Sequence, residues 1–135
     1  MNALVQFVRE RLDYDEQLAR WAEGQSPAWY ASSASDEPNN PDRACVVNGK
    51  DESITGDTDA GYADHIRTHD PERTLLRVAA DRSLVEAYAD VADLDTDDPE
   101  PSFASGRAVG LGIAVRALAA LHSGHRDYQS TWAPR

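Results

Sequence analysis

His65 and His69, set four residues apart, are the side chains in this sequence best spaced for chemistry. On a helix that spacing turns by about 40°, so both rings can face one ion. Zinc takes three or four ligands. The other two histidines, His122 and His125, sit near the C-terminal end with Asp127 beside them. The metal set to look for is therefore His65, His69 and His125, with zinc as the ion and Asp64 or Asp127 as further donors. Ile66-Arg67-Thr68 fills the gap between the first pair, so the general base of a His-Glu-x-x-His metalloprotease is missing. The competing reading is structural: His69 helps close a corner and His65 lies at the surface. Ligand count favours the structural reading, and no cofactor is expected.

Other patterns fall short of a site. Asp93, Asp95 and Asp97 alternate like the opening of a calcium loop, but Asp98 stands where the glycine belongs and Ala104 where the glutamate belongs. Gly106, Gly110 and Gly112 lack the strand that a dinucleotide-binding loop follows; Gly110 and Gly112 fit better as places where another helix comes close. Cys45 lies in the apolar run Ala44-Cys45-Val46-Val47, which suits a small buried hydrophobe. No Gly-x-Ser-x-Gly elbow marks a nucleophile.

These groups need elements to hold them. Leu4, Val5, Phe7, Val8, Leu12, Leu18 and Trp21 predict a helix over 3–22, capped by Asn2 and ended by Gly24, with Glu16 and Arg20 paired. Prolines and glycines break the chain over 26–56. Three short strands are expected there, at 28–32, 44–48 and 52–55, with Asn48-Gly49 turning between the last two and Trp29 and Tyr30 packed on the helices. A helix over 59–69, with Tyr62 and Ile66 on a shared face, carries the first histidine pair. Asp70-Pro71 then stops it and caps the next helix, over 71–92. On that helix Leu75, Val78, Ala79, Val85, Tyr88 and Ala89 face inward, and Arg77 pairs with Asp81. Residues 93–102 read as a mobile acidic linker. A last helix, over 103–122, is closed by Gly124, and Tyr128 and Trp132 can dock back on the body. The fold class is α+β: about four helices and a small three-stranded antiparallel meander in a single domain.

Charge narrows the partners. The 135 residues carry 24 Asp and Glu against 13 Lys and Arg, a net charge of −11. That balance speaks against direct nucleic-acid binding and against an anionic membrane, and favours a basic protein partner. No segment reads as a signal peptide or a membrane span, so a cytoplasmic location is expected. Self-association through the Gly110/Gly112 helix is a further expectation.

Three stretches carry a resemblance. Leu4–Ala19, the central Asp64–Arg77 and the ending Leu118–Trp132, with His125, Asp127, Tyr128 and Trp132, are similar to an actinobacterial family of unknown function also met in actinophages. The layout of Pro27-x-Trp29, small meander and helix pair also resembles phage Ead-type accessory proteins. Some relatives carry cysteines between the third and fourth helices in a metal-like arrangement; residues 93–105 have none here. The resemblance implies an accessory role. The functional expectation is a non-enzymatic interaction or regulatory module. The alternatives are a histidine-based metal-binding protein or hydrolase, and an acidic DNA mimic acting on a DNA-processing enzyme.

Overall fold

The computed structural model describes residues 2–134. Four helices and a three-stranded antiparallel sheet form the expected α+β fold: α1 Ala3–Glu23, β1 Trp29–Ser33, β2 Arg43–Asn48, β3 Thr58–Asp59, α2 Ala60–Thr68, α3 Pro71–Ala89 and α4 Phe103–Ala120. Short 3₁₀ turns follow α3 at Ala92–Leu94 and end the chain at Ser130–Trp132. Residues 2–14 together with 78–134 make one compact unit; Asp15–Arg77 make the other.

The first unit is helical. Its core joins Leu4, Val5, Phe7, Val8 and Leu12 of α1 with Val78, Val85 and Tyr88 of α3, Val115 and Ala119 of α4, and Trp132. Asn2 caps α1 as expected, its Oδ1 accepting from the Val5 amide at 3.2 Å. The C-terminal aromatics dock as expected. His125, Tyr128 and Trp132 surround the Phe7 ring with centroids 5.7, 6.1 and 5.1 Å away. Ion pairs Arg9–Glu86 (2.6 Å) and Arg82–Asp13 (2.8 Å) tie α1 to α3. The Arg9 hydrogen bond holds the Glu86 carboxyl below its ordinary pKa. Ser102 caps α4 through Ser105 N (3.2 Å). The exit from α4 differs from expectation. The chain tightens into three-residue turns at Leu121, His122 and Ser123, and Gly124 does not adopt the left-handed backbone of a glycine cap.

Within the segment expected to be a mobile acidic linker, Asp95 is anchored to the fold. Asp95 turns inward, and its Oδ2 accepts from Arg116 Nη2 and from the Tyr88 hydroxyl, each at 2.8 Å. Gly112 sits under this group; a Cβ there would lie 2.6 Å from Asp95 Oδ2 and 2.8 Å from Arg116 Nη1. Gly112 is therefore on the buried side of α4, whereas Gly110 is exposed with open space around it. Helix–helix approach is available to Gly110 alone of the two.

The second unit begins in the latter part of α1. Gly24, at φ +50°, ends that helix as expected, and Glu16 and Arg20 pair at 3.2 Å. Leu18 and Trp21 face outward, Trp21 at 84% exposure, while Ala19 is buried. A 3.6-residue stripe continued from Leu12 reaches Ala19; Leu18 lies about 100° off it. The sheet order is β1-β2-β3, with β2 central and buried. The third strand lies at Thr58–Asp59, not at 52–55, where only Ser53 bridges Val47. The reason is the turn. Asn48 spends its side chain on the Lys50 and Glu52 amides, and Asp51 takes the left-handed backbone at φ +59°. Gly49 lies close to Ser26: its amide donates to Ser26 Oγ at 3.3 Å, and a Cβ would make that hydroxyl turn away. Trp29 packs with Ala60 and Ile66 on Ala44, Val46 and Ala63, as expected of it. Tyr30 and Tyr62 are exposed instead. Arg77 pairs with Asp15 at 3.8 Å and not with Asp81.

Candidate functional site

The corner between α2 and α3 organises the second unit. Pro71 cannot donate a hydrogen bond and restricts Asp70, so α2 must stop before it. Asp70 is buried, and both carboxylate oxygens are used. Oδ1 accepts from Arg73 N at 2.8 Å, capping α3, and Oδ2 accepts from Trp29 N at 3.1 Å. Glu72 N donates to the Pro27 carbonyl at 3.0 Å. One carboxylate thus starts a helix and pins the first residue of a strand. The cap was legible in the sequence; the tether to β1 was not, because it joins residues 41 apart.

His65 and His69 do come together, with ring centroids 4.4 Å apart and planes tilted by 32°. His69 Nδ1 lies 2.8 Å from the His65 carbonyl oxygen. A carbonyl only accepts, so Nδ1 holds a proton and donates it to that oxygen. Thr68 Oγ1 donates to the Asp64 and His65 carbonyls, tightening the last turn of α2. His125 belongs to the first unit, where its Nδ1 accepts from Asp127 N at 3.2 Å. Among the described residues no three His, Cys, Asp or Glu side chains gather in a group able to hold an ion.

Beside the corner lies the edge of the sheet. Trp29 N points to Asp70, away from β2, so by strand alternation the amide and carbonyl of Ala31 and the amide of Ser33 also point outward. Trp29-Tyr30-Ala31-Ser32-Ser33 contains no proline and no charge, the usual guards of an edge strand. A groove of about 310 Å³ opens at its start, lined by Trp29, Tyr30, Arg67, Thr68, Asp70, Glu72, Arg73 and Leu76. A second, of about 280 Å³, shares Thr68 and Arg73 and adds His69, Thr74 and Arg77. Arg67 is held by Asp64 at 2.9 Å. Among the described residues of this unit, Arg73 is the cation with neither an ion pair nor a side-chain hydrogen bond.

A model for a family of unknown function (DUF6221) matches residues 1–134. The chain belongs to that family. No curated protein matches the chain, and no solved structure matches it. Membership in the family thus spans both units, including the Asp64–Arg77 corner, the β1 edge and the docked C-terminal aromatics.

Proposed function

We propose that this member of the family is a non-enzymatic protein-interaction module that receives an extended segment of a partner along β1. The observation that carries this reading is the unguarded outer edge of β1 ending in a groove with Tyr30, Leu76 and Arg73 at its surface. An added strand would bond Ala31 and Ser33 through its main chain. Tyr30 and Leu76 supply apolar contact, and the free Arg73 guanidinium favours a carboxylate in the incoming segment. The polar groups of the corner brace it: Asp70 is spent on two amides, and His69 Nδ1 on a carbonyl. The charge of −11 adds long-range attraction for a partner that is basic overall.

A peptide-display library selected on the full chain tests this. Selected peptides should lose at least tenfold in affinity on Ala31→Pro, which removes an outward amide at an edge position where proline is tolerated. Arg73→Glu should select against acidic residues in the bound sequences. Amide shifts on binding should centre on residues 29–33. Peptides that bind Ala31→Pro as well as wild type, with shifts elsewhere, would overturn the reading.

A further inference from the structure

The fourth helix shows a face that no part of its unit covers. Phe103, Arg107, Gly110, Ala117 and Leu121 are exposed, and Ala114 is half-buried between them. Their spacing is four, three, four, three, four, which is the a/d seam of a coiled coil. Gly112 and Val115, on the other side, are buried in the fold. Phe103 is 96% exposed and Leu121 76%. Large apolar side chains therefore stand at both ends of the seam, and Gly110, Ala114 and Ala117 keep its inner layers small apart from Arg107.

We infer that this face pairs antiparallel with the same face of a second copy. The symmetry of the sequence about position 112 specifies the register. Phe103 meets Leu121 of the other copy, Arg107 meets Ala117, and Gly110 meets Ala114, so every layer sets an a position against a d position. Gly110 has no heavy atom near its Cβ position, which lets the two backbones approach at the dyad. Ala117 leaves room for the Arg107 stem to run to the rim with its charge in water.

Charge supports a second copy as the occupant. Two chains of −11 repel each other, yet the sequence holds no Asp or Glu from Phe103 through Arg126. Every seam residue falls in this stretch, so no carboxylate of α4 stands opposite the same face of a second copy. The seam is about 27 Å long at 1.5 Å per residue. Two such helices bury on the order of 1,000 Å², the lower limit of a specific interface, so the dimer is concentration-dependent.

The same helix is long and apolar enough to cross a membrane by length and composition. Its Arg116 is nevertheless bonded to Asp95 inside the fold, a pair that a lipid span would have to break.

Sedimentation equilibrium of the full chain tests the pairing. A monomer–dimer equilibrium is expected, weakened at least tenfold by Gly110→Leu; that site is open and leucine is the better helix former, so melting of the monomer should not fall. The double variant Phe103→Cys/Leu121→Cys should form disulfide dimers under mild oxidation, with both single variants cross-linking far less. A monomer at millimolar concentration, a dimer indifferent to Gly110→Leu, single variants that cross-link as well as the double, or uptake of the chain into neutral lipid vesicles in place of dimer would each overturn the inference.

Discussion

Asp95 Oδ2 lies 2.8 Å from Arg116 Nη2, with the two side chains only 5% and 10% exposed. This pair, joined by the Tyr88 hydroxyl, fastens the acidic connection to the buried side of α4. Removing one partner of a buried pair leaves the other charge without compensation. Asp95→Ala should lower stability by about 3–5 kcal/mol in urea denaturation. Replacing Asp95 and Arg116 together by apolar residues should cost less than Asp95→Ala alone. Gly112→Ala should cost about 1–3 kcal/mol, because its methyl would press on the same two side chains.

At the corner, Asp70→Ala should cost more than an ordinary helix cap, which is worth about 1 kcal/mol. It also frees the Trp29 amide. Hydrogen exchange should show Arg73 and Trp29 losing protection together. Protection lost at Arg73 alone would mean that the strand tether contributes nothing.

Stability should fall at both ends of the pH scale. The backbone amides of Asp36 and Ser35 hold the Asp57 carboxyl below its ordinary pKa, and Arg9 does the same for Glu86. A depressed folded pKa contributes stability above the unfolded value, about 4, that is lost as pH drops through the folded value. Tyr88 runs the other way. Burial first, then the Asp95 hydrogen bond, raises its pKa. That contribution is complete below about 10 and disappears as pH climbs through the raised value. Thermal melts across the range should therefore show an alkaline decline that is shallower in Tyr88→Phe.

Zinc should leave the melting temperature unchanged in the wild type and in His65→Ala. The stacked pair offers two imidazoles, short of the three or four ligands the ion takes. A rise of several degrees that both His65→Ala and His69→Ala abolish, with zinc found by elemental analysis, would establish a metal role for the pair.

How much of this was legible depended on distance along the chain. The caps at Asn2 and Asp70, the glycine end of α1 and the Glu16–Arg20 pair are each settled within four residues, and each is found where its pattern places it. The third strand was misplaced because the Asn48 side chain and Asp51 reshape the turn that sequence reads as Asn-Gly. Spacing placed Tyr62 on one face with Ile66, yet the face that meets the sheet is that of Ala60, Ala63 and Ile66, and Tyr62 is exposed. The β1 edge gave no local signal, because which strand lies outermost is a property of the sheet as a whole.

The sequence by itself determined the α+β class, the helices near their observed bounds and the break at Asp70-Pro71. Local backbone sterics, capping and apolar period act over a few residues, and those are written in order along the chain. Only the tertiary structure decided that Asp95 is buried rather than mobile, that Gly112 faces inward while Gly110 faces out, and that Asp70 holds a strand as well as a helix. Each of these joins groups distant in sequence, where the cost of burying a charge or a polar group is met by a partner that no local pattern names.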